Sequence, residues 1–186
     1  MMLSLLLGLL ILLSVILSGV RGWPLLWHGG LVAAALLAAA RDAATPVLPC
    51  LAAVGVMAAI LPLAWGLARL EDMPPSARER AVCMGGGLVL TILAVIAVPQ
   101  GMMDKAARLD LIAALAVILC GVLAAAVRRS VVGQCAGLAC ALNGLMLLAG
   151  LSGRGAVLAG AALLLGATML VAFVCLRRLA WGRVAE

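Results

Sequence analysis

The sequence is poor in charged residues. Only 11% of its 186 residues are charged, whereas 67% are hydrophobic, and the mean hydropathy is +1.31. Soluble domains are about half apolar and about a quarter charged. The longest polar stretch, residues 69–80, has only the length of a loop and leaves no room for a separate water-soluble domain. The composition therefore excludes a soluble globular protein.

Aromatic residues are scarce as well, with four tryptophans, one phenylalanine and no tyrosine. A net charge of +6 invites a nucleic-acid interpretation, but such surfaces combine basic residues with aromatic side chains on which bases stack. Here the 13 lysine and arginine residues lie in short segments between apolar runs, where anionic lipid head groups attract cations. We therefore predict contact with membrane lipid and no nucleic-acid partner.

Patterns of metal ligands are missing too. Zinc and iron–sulfur sites need clusters of cysteine or histidine, but the six cysteines form no CxxC pair and the chain has one histidine. Most of the cysteines lie inside apolar runs, where cysteine packs as a small hydrophobic residue. The sequence predicts no metal site and no cofactor.

Long, continuous apolar runs fill the chain. Backbone groups in lipid must be hydrogen-bonded within the protein, which leaves helices or closed barrels, and barrel strands would alternate polar and apolar residues. A helix of about 20 apolar residues crosses a bilayer. We predict an all-α membrane protein with about seven transmembrane helices. The predicted spans are residues 2–20, 25–40, 50–67, 82–98, 109–127, 131–151 and 156–176.

The basic residues are distributed unevenly across a seven-span chain. One side receives nine arginines, whereas the other receives Arg41, Lys105, Arg108 and Arg154. Cytoplasmic loops are enriched in lysine and arginine. This asymmetry predicts a multi-pass protein of the cell inner (cytoplasmic) membrane, with its N-terminus outside and its C-terminus in the cytoplasm.

Charges are absent from the middle of every predicted span, where no aspartate, glutamate or lysine occurs. Membrane-embedded charges mark ion and proton routes, so this absence argues against an independent proton channel. An independent small-molecule transporter is disfavoured because no inverted repeat with matched broken helices is present. No segment combines a nucleophile, a base and oxyanion donors, so we predict no catalytic residue and no enzyme activity.

The single histidine, His28, follows Trp27 in the first turns of the second predicted span. Tryptophan is typical of the membrane–water interface, so the favoured interpretation is an interfacial histidine bonded to backbone or lipid. A proton relay near the membrane surface is the alternative, because histidine changes charge close to neutral pH.

The sixth predicted span carries two amide side chains and a small-residue pattern. Gln134 and Asn143 lie about 180° apart on a helix with about 100° per residue, so they do not line one stripe. Interhelical hydrogen bonding is the expected role of each, and a water held by Asn143 in a shared path is the alternative. Gly133 and Gly137 form a GxxxG pattern, which predicts close packing against the chain itself or a partner.

A family resemblance rests on residues 128–145, which contain paired arginines, then Gln134, a Gly-Leu pair and Asn143-Gly144. This segment resembles the HyfE-like membrane subunit of group 4 nickel–iron hydrogenases. The layout is similar over most of the chain, with seven spans and a proline, Pro62, late in the third. The last three spans resemble the NuoK subunit of complex I and the MrpC subunit of cation antiporters.

The resemblance implies a place in a complex I-like assembly. It divides the chain into a four-helix N-terminal membrane part, residues 1–104, and a NuoK-like three-helix module, residues 105–186. It implies a non-catalytic accessory subunit of a proton-translocating oxidoreductase complex, which packs beside antiporter-like membrane subunits. A subunit of an antiporter-type cation or inorganic-carbon uptake complex is the alternative.

The sequence departs from this family where relatives carry relay charges. Two carboxylate positions in the Asn-Gly helix align with Leu142 and Ala139, and a lysine of the third span aligns best with Met57. The acidic positions of the last span fall among residues 158–164, which are all uncharged. We predict a charge-depleted member that keeps the scaffold and has lost its own proton relay.

Overall fold

The computed structural model describes residues 2–17, 23–43, 45–70, 74–101 and 103–174, and the backbone of the helix that continues to Gly182. These ranges contain seven α-helices and no strand, which confirms the predicted all-α fold. The helices are α1 (Met2–Leu17), α2 (Trp23–Asp42), α3 (Val47–Ala68), α4 (Ala77–Ala97), α5 (Lys105–Val127), α6 (Val131–Leu151) and α7 (Gly155–Gly182).

Six of the described helices, α2 to α7, are long and apolar enough to cross a membrane, so the chain is a multi-pass membrane protein. The described part of α1 is apolar and has 16 residues. That length is about 24 Å at about 1.5 Å per residue, against about 30 Å of hydrocarbon. The end of the first predicted span, residues 18–20, lies outside the described residues.

The prediction of a loop over residues 69–80 is wrong at its end, because α4 already begins at Ala77. Ser76 and Glu79 form a capping box at this start. The Ser76 hydroxyl accepts from the Glu79 backbone N–H at 3.2 Å, and the Glu79 carboxylate accepts from the Ser76 backbone N–H at 3.0 Å. Polar residues thus begin the helix before the apolar run starts.

The next loop is also shorter than predicted, since α5 begins at Lys105 and its first turns include Arg108. The Asp104 carboxylate accepts from the Lys105 backbone N–H at 2.8 Å. The Arg108 guanidinium donates to the backbone carbonyls of Val95 and Val98 at 3.0 and 3.3 Å. These bonds satisfy carbonyls at the end of α4 that have no partner within the helix.

Helix α6 lies at the centre of the bundle. It packs against α2, α3, α5 and α7, and it is the most buried of the six candidate spans, whereas α4 is the least buried. One hydrophobic core combines residues of α1, α2, α3, α5, α6 and α7. Helices on both sides of residue 104 contribute to this core, and the division of the chain into two parts at that residue stays a prediction.

Candidate functional site

The one histidine of the chain lies inside the helix bundle. His28 on α2 is 1% exposed, whereas the preceding Trp27 is 66% exposed. Successive residues of a helix point about 100° apart, so Trp27 faces outward while His28 contacts α1 and α6. The expectation that His28 bonds to backbone or lipid is therefore wrong, because its partners are side chains of other helices.

Two side chains from other helices hold the His28 ring. Its Nε2 atom lies 3.0 Å from Oγ of Ser14 on α1, and its Nδ1 atom lies 3.4 Å from Nδ2 of Asn143 on α6. The Ser14 hydroxyl donates to the backbone carbonyl of Leu10 at 2.8 Å, so its oxygen accepts from Nε2–H. The Asn143 amide then donates to an unprotonated Nδ1. This arrangement fits a neutral imidazole with its proton on Nε2.

The same Asn143 side chain carries an acceptor that is not used. Its Oδ1 atom is buried and has no hydrogen-bond partner among the described residues. A buried polar atom without a partner costs about 1–3 kcal/mol. The Asn143 amide therefore contacts the His28 ring through Nδ2, while its Oδ1 has no hydrogen-bond partner among the described residues.

The helices around His28 bring no charge to the ring. Helix α2 packs against α1, α3 and α6, and the described residues of these three helices include no aspartate, glutamate, lysine or arginine. The charged residues of α2 itself are Arg41 and Asp42, in its last turn. Arg41 is about 20 Å from His28 along the helix at about 1.5 Å per residue. The site is polar but carries no net charge.

The helices around this site pack closely. A Cβ atom at Gly29, next to His28, would lie 2.9 Å from Ile60 of α3, and one at Gly150 of α6 would lie 2.5 Å from Leu36 of α2. These distances are shorter than ordinary van der Waals contacts, so the two glycines let α3 and α6 approach α2 directly. The imidazole of His28 is thus enclosed by packed helices.

Another face of α6 packs on α5 and so orients Asn143. A Cβ atom at Gly137 would lie 2.5 Å from the Ala125 backbone, and Gly144 meets α5 in the same way. Gly121 makes the reciprocal approach from α5 to the α6 backbone. The two α6 glycines lie about 100–120° around the helix from Asn143. Packing of α6 on α5 therefore presents Asn143 to α2.

The other two residues of the sequence motif lie at the start of α6. Gln134 is half-buried and donates from Nε2 to the backbone carbonyl of Arg128 at 3.0 Å. A Cβ atom at Gly133 would lie 2.9 Å from Oγ of Ser130 and 3.2 Å from the Arg128 side chain. Within the GxxxG pattern, Gly137 thus lies against α5, whereas Gly133 borders the turn that precedes α6.

The three positions at which the predicted resemblance expects relay charges are part of the apolar interior. Ala139 on α6 is buried in the hydrophobic core. Leu142 on α6 and Met57 on α3 are half-buried and pack against that core.

A groove opens between α3 and α7 on another side of the bundle. Its volume is about 820 Å³, and its apolar lining includes Pro62, Gly166 and Phe173. Trp65 and Arg69 also line the groove, and the Arg69 guanidinium lies 4.8 Å from the centroid of the Trp65 ring. The groove does not include His28 or Asn143, so the two features are separate.

The sequence singles out His28 and Asn143 separately, but it does not predict that they are in contact, and it does not identify Ser14. One signal was available, since His28 and Asn143 are the only histidine and the only asparagine of the chain. Within the described ranges, no three histidine, cysteine, aspartate or glutamate side chains are grouped so that they could hold a metal ion. No protein family model matches the chain, and neither a curated protein nor a solved structure matches it.

Proposed function

We propose that this chain is a non-catalytic integral membrane subunit of a complex I-like assembly of the membrane-bound hydrogenase type. The setting of Asn143 carries the proposal. This residue belongs to the segment that resembles the HyfE-like subunit, and it is fully buried at the centre of the bundle, where it bonds to another helix. A motif residue with that burial has a role in holding the helices together.

In this role the chain seals and aligns its neighbours while they move ions. The middle of each described span contains no aspartate, glutamate or lysine, so the chain offers neighbouring subunits no carboxylate or ammonium there. Its relay charges are replaced by apolar residues at Met57, Ala139 and Leu142, and the relay itself belongs to the antiporter-like subunits.

The exposed faces of α4 and α7 are where these neighbours or lipid pack. Only 11% of the α4 span and 22% of the α7 span are buried inside the chain. Helix α4 exposes Leu88, Ile92 and Ile96, and α7 exposes Leu163 and Leu170. These faces fit the apolar surface of other membrane helices or of acyl chains. The proposed location is the cell inner membrane, with the C-terminus in the cytoplasm.

Purification of the tagged full chain from its native membrane in a mild detergent tests the proposal. Co-purification with antiporter-like subunits and a nickel–iron or quinone-reactive subunit is the expected result. Antiporter-like subunits alone would favour the alternative, an antiporter-type cation or inorganic-carbon uptake complex. A chain that purifies as a stable monomer with no such subunit would contradict both.

A further inference from the structure

We propose that His28 is a proton-binding site within the membrane, in which rotation of the Asn143 amide accompanies protonation of Nδ1. The site does not depend on the assembly proposed above, because Ser14, His28 and Asn143 all belong to this chain. His28 is the sixth residue of α2, and the middle of each described span contains no aspartate, glutamate or lysine.

A neutral ring with its proton on Nε2 fits the hydrogen bonds of His28. Nε2–H donates to Ser14 Oγ, and Nδ1 accepts from the Asn143 amide N–H. Binding of a proton at Nδ1 converts this acceptor into a donor and makes the ring an imidazolium. Two donors, Nδ1–H and the Asn143 N–H, would then face each other.

The buried Oδ1 atom of Asn143 resolves this conflict. Rotation of the amide by about 180° exchanges its oxygen and nitrogen, and terminal amide torsions have broad, roughly two-fold preferences. Oδ1 has no partner among the described residues, so no hydrogen bond of the oxygen is lost when it turns toward Nδ1–H. The protonated ring would then donate to Ser14 Oγ on one side and to Asn143 Oδ1 on the other.

No charge from the described residues of the helices packed on α2 competes for the ring. Of the helices that pack on α2, the described part of α1 has no charged residue, α3 has none, and α6 has none. The other titratable side chains on these helices are the thiols of Cys50 on α3 and of Cys135 and Cys140 on α6. Arg41 and Asp42 lie at the far end of α2. Proton binding at His28 therefore depends on the two hydrogen-bond acceptors rather than on a counter-ion.

The chain composition makes the site directly observable. His28 is the only histidine, so ¹⁵N-histidine labelling of the full chain in lipid nanodiscs gives NMR signals from this ring alone. At neutral pH we expect the Nε2–H tautomer. On acidification we expect a reversible change to the imidazolium. A ring that stays neutral at every pH where the chain remains folded, or that carries its neutral proton on Nδ1, would overturn the proposal.

Substitution of Asn143 tests the amide rotation. Asn143→Leu removes the acceptor for Nδ1–H, and we expect its proton affinity to fall about tenfold or more, which is about one pH unit or more in the titration midpoint. Gln134→Leu is the matched control, because it removes an amide of the same helix that bonds elsewhere, and its midpoint should equal that of the wild type. Equal midpoints in Asn143→Leu and the wild type would contradict the proposal.

A second variant remains informative if Asn143→Leu does not fold. Asn143→Asp places a carboxylate at Nδ1, which accepts without a rotation and attracts the imidazolium. We expect the imidazolium to persist to a pH at least about one unit higher than in the wild type. An unchanged or lower midpoint would show that the side chain at position 143 does not determine protonation of the ring.

Discussion

Asn143 on α6 and His28 on α2 are hydrogen-bonded at 3.4 Å although 115 residues separate them in the chain. The bond joins the helix that carries the family-like motif to a helix in which no motif was recognised. It also places the only asparagine against the only histidine of the chain. The interaction is thus a specific link between two helices that are otherwise packed by apolar side chains.

The energetic coupling of these two residues can be measured. We expect a double-mutant cycle of His28→Leu and Asn143→Leu to give a coupling free energy of about 1 kcal/mol, within the range of interhelical hydrogen bonds in membranes. Unfolding in mixed micelles supplies the free energies. His28→Leu with Gln134→Leu serves as the control pair and should be additive. Additivity of the first pair within about 0.3 kcal/mol would argue against a direct bond.

Close packing of α5 on α6 makes Gly137 sensitive to a single methyl group. We expect Gly137→Ala to destabilise the chain by about 1–3 kcal/mol, because the added Cβ atom would lie 2.5 Å from the Ala125 backbone and backbone atoms cannot rotate away. Gly160→Ala is the matched control on α7, where nothing lies within 4 Å of the added atom. Thermal unfolding in detergent should show a loss for the first variant and none for the second.

The capping box at the start of α4 predicts a local effect. Ser76→Ala removes the acceptor for the Glu79 N–H and should cost about 1 kcal/mol. We expect faster amide hydrogen exchange over residues 77–80 and unchanged exchange in the middle of α4. Ser4→Ala, an exposed serine of α1, is the control. Equal exchange in Ser76→Ala and the wild type would mean that other contacts hold the start of the helix.

The positions aligned with relay charges differ in how well they accept a carboxylate. Ala139 is 1% exposed, so Ala139→Glu should destabilise the chain by about 2 kcal/mol or more. Leu142→Glu should cost less, because Leu142 is half-buried and its side chain is close in size to glutamate, so the change adds little steric conflict. Thermal unfolding of the two variants, compared with Ala139→Leu and Leu142→Gln, separates the cost of charge from that of size. A smaller loss in Ala139→Glu than in Leu142→Glu would contradict this order.

The proposed orientation predicts different labelling of two exposed serines. Ser152 precedes α7 and Ser76 precedes α4, and the uneven distribution of basic residues puts these turns on opposite sides. A membrane-impermeant thiol reagent applied to intact cells should label Ser152→Cys and not Ser76→Cys, above the background of the wild-type cysteines. The reverse pattern would mean that the N-terminus is in the cytoplasm.

The membrane-spanning helices and the turns between them could be predicted because they depend on residues that are close together in the sequence. Continuous apolar runs of about 20 residues specify membrane-spanning helices because lipid offers the backbone no hydrogen-bond partner. Turns between them follow from glycine, proline and charged residues. Helix starts at Ala77 and Lys105 were placed too late, since hydropathy does not register the polar first turns that side-chain caps stabilise.

Which side of each helix is buried, and against which neighbour, depends on contacts between segments that are distant in the chain. In a soluble protein an apolar stripe shows which side of a helix is buried, but helices such as α3 and α6 are apolar on every side and carry no such signal. Periodicity could therefore separate Gln134 from Asn143 on α6, but it could not bring Asn143 to His28. That contact arises because glycines let α6 pack closely on α5 and α2 at the same time.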